Sequence, residues 1–263
     1  MSPTVPFVKA CACGNDFLII DGANAPADIA DFTRRICDRN QGVGADGVEW
    51  LYPTTNADIE ARLINNDGSC AEISGNGTRC VATYLCSEQP RELVTVLTGA
   101  GIKTCHLISY RGMEFEFEAA MGTPEVGKEL ALNVGSDQLC GIPVSMGNPH
   151  FVIFHDEFFT GWQAEAAAVQ RNAAFPHGVN IEFVKIKGRG NIDVLFYERG
   201  VGETKSSGTG SCAAAVAAIV THRAASPVRV DTPGGKQTVR WGDQVYLRGS
   251  AALICRGEFF RLK

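Results

Sequence analysis

Ser74-Gly-Asn-Gly-Thr-Arg-Cys-Val-Ala-Thr-Tyr-Leu85 and Ser207-Gly-Thr-Gly-Ser-Cys-Ala-Ala-Ala-Val-Ala-Ala218 carry one pattern, Ser-Gly-x-Gly followed by a run of small and apolar residues. Each copy follows a polar stretch that ends a strand, Asn65-Asn-Asp-Gly in one case and Glu198-Arg-Gly-Val-Gly-Glu-Thr in the other. A single Gly-rich turn would be unremarkable, but two copies about half a chain apart point to duplicated halves, each a sheet curled round one central helix.

Outward from these turns, short β-type runs recur at 16–21, 58–65, 93–97, 102–108, 113–119, 150–154, 180–187, 191–197 and 228–231, most of them bounded by Gly, Pro, Asn or Asp. Several follow one another with no helix between, which predicts a mixed or antiparallel sheet rather than a doubly wound one. Helical periodicity covers 28–38, 77–85, 164–170 and 210–222, and the last is apolar on every side, so strands must wrap it. Met121-Gly-Thr-Pro punctuates the middle. The expected domains are therefore 1–119 and 120–251.

The 263 residues with 45% hydrophobic content suffice for an ordinary core, and a formal charge of −5 with scattered Lys and Arg argues against nucleic acid. No stretch reaches the apolar length of a membrane span, and the first twelve residues lack a signal-peptide pattern, so the expectation is a cytoplasmic protein with no membrane partner. Ten cysteines fall without CxxC pairing or a nearby His-x-x-x-His, which reads as free thiols and no metal site.

A Gly-rich turn opening a helix offers N–H groups at the positive end of the dipole and favours an anion. Neither turn has the Lys-Ser/Thr ending of a P-loop or a dinucleotide fingerprint, so a carboxylate fits better than a phosphate. Asn15, Asn65, Asn76, Asn148 and Asn180 lie in Gly-rich or Pro-containing contexts. Singly each reads as a turn residue. With Glu198 and Arg199 they supply donors for carboxylates and oxygens for ammonium groups, which is a kit for one zwitterion.

Gly14-Asn-Asp-Phe, Gly42-Val-Gly-Ala-Asp-Gly, Asn65-Asn-Asp-Gly-Ser, the two Ser-Gly-x-Gly segments, Met146-Gly-Asn-Pro-His and Tyr197-Glu-Arg-Gly-Val-Gly-Glu-Thr occur in this order. Together they resemble the successive signatures of the diaminopimelate epimerase family. That resemblance implies an α/β (α+β) fold of two pseudo-symmetric halves, each a curved mixed or antiparallel sheet or barrel round a central helix. The active site would lie in the cleft between them, the halves would close on substrate, and segment 252–263 would return to the first half.

The resemblance also implies interconversion of LL- and meso-diaminopimelate for lysine and peptidoglycan synthesis, without pyridoxal phosphate, metal or other cofactor, often as a homodimer. In the family one cysteine thiolate removes the α-proton while a second thiol on the opposite face donates one. Those positions are Ser74 and Ser207 here. By the same resemblance Asn15, Asn76 and Asn148 with Glu198 hold groups around the reacting centre, where the helix-start N–H groups of Gly75-Asn76 and Gly208-Thr209 can stabilise charge that develops on the α-carboxylate. Asn65, Asn180 and Arg199 read the distal end, and His150 supports the site, although a satisfied structural histidine reads equally well.

A hydroxyl is far harder to ionise than a thiol, so two serines are expected to bind substrate and turn it over very slowly. The paired change reads as an engineered double variant, since everything else in the site is intact, or as a natural relative that kept binding. Gly47, where some relatives carry Gln, removes one contact at the distal end. The alternatives are a racemase of another amino acid on the same fold and a non-catalytic amino-acid binder.

Overall fold

A computed structural model describes residues 4–135 and 137–260. By compactness the chain divides into two units: one runs to Ala119 and is resumed from Gly249, and the other spans Ala120–Arg248.

The first unit contains β1 (Thr4–Ala12), β2 (Asn15–Asp21), α1 (Ile29–Cys37), β3 (Gly47–Tyr52), β4 (Ile59–Asn65), β5 (Cys70–Ala71), α2 (Gly75–Glu88), β6 (Leu93–Thr98), β7 (Gly101–Arg111) and β8 (Glu114–Gly122). The second follows with β9 (Glu125–Val126), β10 (Leu130–Val134), β11 (Asp137–Ser145), β12 (Pro149–Phe154), α3 (Trp162–Gln170), β13 (Asn180–Gly188), β14 (Asn191–Glu198), β15 (Gly202–Thr204), α4 (Gly208–Val220), β16 (Val228–Thr232) and β17 (Gly235–Trp241). The long β18 (Val245–Phe260) starts earlier than the Ala252 read from the sequence, and from Gly249 it belongs to the first unit, where its residues 252–260 pair antiparallel with β1. Residues 261–263 of the segment expected to return lie outside the described residues.

The duplication is visible in the strand pairing. In the first unit β1 runs antiparallel to β2, β2 parallel to β3, β3 antiparallel to β4, and β4 antiparallel to the short β5 that leads into α2. After the helix, β6 returns parallel to β4 and turns into β7. In the second unit β11, β12, β13, β14, β15, α4, β16 and β17 repeat that order with the same senses. The mixed sheet follows from chain connectivity: hairpins make antiparallel neighbours, and the crossovers through α1, α2, α3 and α4 make the parallel ones.

Each central helix is the core of its unit. Residues 210–218 of α4 are all buried, within an apolar cluster that includes Val152, Val184, Val194, Phe196, Val230, Val239 and Leu247. The small side chains of α4 let the strands approach on every side, and burial of its apolar surface makes up for its lack of a polar face. In α2, Cys80, Val81, Ala82 and Cys86 pack with Phe17, Leu63, Val94, Phe115 and Phe117. Separate clusters lie beneath α1, where Phe32 and Ile36 meet Trp50, and beneath α3, where Trp162 and Val169 meet Phe183. β1 and β3 carry no clean sequence signal. β1 mixes Pro, Lys and Cys into its alternation, and β3 is buried along five of its six residues around a glutamate.

Candidate active site

Ser74 caps α2 and Ser207 caps α4 in nearly the same backbone conformation, with φ,ψ of −128°,122° and −136°,126°. The Gly77 N–H donates to Ser74 Oγ at 3.1 Å, and the Gly210 N–H donates to Ser207 Oγ at 3.2 Å. Each hydroxyl therefore lies at the positive end of a helix, where a thiol in its place would ionise more readily.

The second glycine of each turn lies against a buried carboxyl group, joined at Gly210 by the Phe196 ring. A Cβ on Gly77 would lie 2.0 Å from Glu49 Oε1, and one on Gly210 would lie 2.7 Å from Glu182 Oε1. Gly75 has open space instead. Glu49 is the third residue of β3 and Glu182 the third of β13, so the two halves place a buried acid at the same point under the helix start. Burial pushes the Glu49 carboxyl up to about 8. Burial also raises Glu182, against the opposing charge and hydrogen bond of His150. Neither residue stood out in the sequence reading. The signal is nevertheless present as Val48-Glu-Trp-Leu and Ile181-Glu-Phe-Val, a glutamate set in an apolar strand in each half.

In the first unit Asn76 Nδ2 donates to Asn15 Oδ1 at 3.4 Å, and Asn76 Oδ1 accepts from buried Arg79 at 2.5 Å. The other end of Asn15 donates to Asp46 Oδ2 at 2.5 Å. Asp46 and Asp16 are both bound by Arg39, and Lys9 reaches Asp16 at 2.9 Å. Burial works against ionisation of Asp16, but hydrogen bonds from Arg39 and Lys9 outweigh it and hold the carboxyl at about 2. Asn65 ends β4 opposite Gly47, and its amide donates to Ser69 Oγ at 3.0 Å. A Cβ on Gly47 would meet Ile64 O at 2.8 Å, so this backbone leaves no room for a side chain there.

In the second unit the expected residues are linked directly. Ser207 Oγ donates to Glu198 Oε2 at 3.3 Å, and Thr204 Oγ1 donates to Glu198 Oε1 at 2.6 Å. Asn148 Nδ2 donates to Thr209 Oγ1 at 3.3 Å, and Asn148 Oδ1 lies 3.0 Å from His150 Nε2. His150 Nδ1 meets Glu182 Oε1 at 2.7 Å, and both side chains are fully buried. Asn180 donates to Pro149 O at 2.9 Å and accepts from the Arg199 backbone N–H at 2.9 Å, which positions Arg199. Gly208 and Thr209 occupy the first two positions of α4, as Gly75 and Asn76 do in α2.

Cys80 and Cys212, the cysteines nearest to the two turns in the helices, are fully buried, and burial drives the Cys80 thiol far up. Both pack in the cores of their units.

The fold defines a class first. A Bacillus anthracis phenazine biosynthesis protein of the PhzF family superposes with a TM-score of 0.71, covering 98% of this chain and 99% of that one. A hydroxyproline epimerase from Agrobacterium vitis, solved with trans-4-hydroxy-L-proline, superposes with a TM-score of 0.69 over 98% and 93%. Both are 14% identical, so they share the fold of two α/β halves and no more is carried over from them.

The sequence comparisons are more specific. The family model described as diaminopimelate epimerase matches residues 7–125 and 142–254. Diaminopimelate epimerases of Desulforudis audaxviator and Desulfitobacterium hafniense are 36% and 34% identical, covering 97% and 95% of this chain and 99% and 96% of the relatives. The chain belongs to the diaminopimelate epimerase family.

Proposed function

We propose that this chain is a cofactor-independent epimerase scaffold for LL- and meso-diaminopimelate in lysine and peptidoglycan synthesis, with each half contributing one proton-transfer position to the α-carbon. The observation that carries the reading is the duplicated turn. Ser74 and Ser207 cap buried helices in matching conformations, and a polar residue near each, Asn76 or Thr209, is held by an asparagine, Asn15 of β2 in one half and Asn148 just before β12 in the other. The N–H groups of Gly75, Asn76, Gly208 and Thr209, at the positive ends of the two helices, suit the charge that develops on an α-carboxylate when the α-proton leaves. Asn65 and Arg199, positioned by Asn180, supply groups for a second charged end.

With cysteines at positions 74 and 207, one thiolate takes the α-proton and leaves the electron pair on the α-carbon and its carboxylate. The other thiol then gives its proton to the opposite face, which inverts the centre. As serines, both hydroxyls stay protonated at neutral pH, so the chain binds the substrate and turns it over very slowly.

NMR in heavy water measures the outcome directly. Exchange of the α-proton of LL-diaminopimelate is expected in the Ser74→Cys/Ser207→Cys protein and is expected to be barely measurable in the unaltered chain. No exchange in the double-cysteine protein despite measurable binding would overturn the epimerase reading for this substrate. Binding across a panel of amino acids separates it from a racemase of another amino acid.

A further inference from the structure

The two turns are wired with opposite polarity, and the difference lies in what holds the supporting asparagine. In the first half the Asn15 amide nitrogen is tied to the Asp46 carboxylate, so its carbonyl oxygen faces the turn and accepts from Asn76. In the second half the Asn148 carbonyl oxygen faces His150, so its amide nitrogen faces the turn and donates to Thr209 Oγ1. β-sheet register shows that these are equivalent positions. Phe17 in β2 opposes Gly47, the first residue of β3, and His150 in β12 opposes Asn180, the first residue of β13. His150 therefore stands where the first half has a phenylalanine.

An amide oxygen only accepts, so the bond from His150 to Asn148 requires a proton on Nε2. The other ring nitrogen faces Glu182 Oε1, and this contact also needs a proton between the two atoms. The couple thus holds two protons and is neutral overall, whichever partner carries the second one. Neutrality suits a site where both side chains are buried and Glu182 Oε2 has no hydrogen-bond partner among the described residues.

We propose that Glu182 is a positioning residue that, through His150, sets the polarity of the Ser207 turn: Asn148 is held with its nitrogen toward Thr209, whose hydroxyl proton is then left for the ligand carboxylate. This rests on the reading that a carboxylate is gripped at α4. Without Glu182 a neutral imidazole can place its proton on either nitrogen. If the proton moves to Nδ1, Asn148 turns round and Thr209 must donate to it.

The test has one arm without ligand and one with it. Imidazole nitrogen shifts of His150, assigned with His150→Phe, should report Nε2 protonated throughout about pH 6 to about pH 8 in the unaltered chain. They should report mixed protonation in Glu182→Leu, with Glu182→Gln as the volume-preserving second variant. Unprotonated Nε2 in the unaltered chain overturns the proposal whatever the ligand proves to be.

Calorimetry with diaminopimelate forms the second arm. Thr209→Val should weaken binding about tenfold, the worth of one hydrogen bond to a charged group. Glu182→Leu should add little further loss to Thr209→Val, and Thr209→Ser should restore binding. Losses that multiply independently overturn the proposal. A chain that binds no diaminopimelate sinks the proposed function instead, while the nitrogen shifts still decide the polarity.

Discussion

Glu49 and Glu182 are the same residue type at equivalent places, yet only one of them has a histidine partner. Glu182 has His150, and Glu49 sits in a half where that place is held by Phe17. Desolvation alone lifts Glu49 from its ordinary 4.5 to about 8, so between those values the folded chain keeps a proton that the unfolded chain releases. Stability therefore falls as pH rises through this window, by about 1.4 kcal/mol per pH unit at most, and levels off above it. Glu49→Gln should remove that slope. Urea unfolding at several pH values between 4.5 and about 8 measures it, and parallel curves for the two proteins would show that Glu49 ionises freely in the fold. The serines belong to this scale too: the lone difference between hydroxyl and thiol at positions 74 and 207 decides whether the turn holds a base.

Helix starts are where single residues become an element. Gly75 and Gly77 are both helical glycines, but a methyl group on Gly75 meets nothing and one on Gly77 meets Glu49. Gly75→Ala is expected to leave stability unchanged or raise it by up to about 1 kcal/mol, through helix propensity. Gly77→Ala should cost about 1–3 kcal/mol, with part of the loss recovered by Glu49→Ala, which clears the space. Thermal unfolding of the three variants provides the comparison, and equal effects at both glycines would refute the packing argument. Along α4 the same logic applies to size. Ala214 is fully buried among strands, so Ala214→Leu should destabilise by about 1–3 kcal/mol despite the good helix propensity of leucine.

Across the whole molecule, the chain's last strand completes its first unit. β18 pairs with β1 from Phe260 opposite Thr4 to Ala252 opposite Cys11, the Leu253 N–H donates to Met113 O, and Thr83 Oγ1 donates to Ala251 O. Deleting residues 249–263 would leave β1 with an unpaired edge and open the cluster round Ala251, whereas the segment 120–248 loses no strand of its own unit. The expected result is loss of amide-exchange protection in β1, β2 and β8 while α4 and its strands stay protected. Uniform protection after the deletion would contradict it. Ligand binding acts on this scale as well. Diaminopimelate at about one hundred times its dissociation constant should add about 2.7 kcal/mol to the stability of the folded chain, read as a shift in the melting curve.

The repeated Ser-Gly-x-Gly segments, the apolar run of α4 and the break near Met121 were enough to read two similar halves and a central helix in each, because glycine turns and helical periodicity are local properties of the chain. The ordered motifs were enough to point to the family. What the linear sequence could not give was direction and environment. That Asn15 turns its oxygen to the helix depends on Asp46, and that Asn148 turns its nitrogen depends on the ring of the adjacent His150, which is held in turn by Glu182 from the paired strand β13. That Glu49 and Glu182 lie under glycines 28 residues further along the chain in each half, since 77 − 49 and 210 − 182 are both 28, depends on a strand crossing beneath a helix start. Hydrogen-bond polarity and desolvation are set by neighbours distant in sequence, so only the folded sheet decides them.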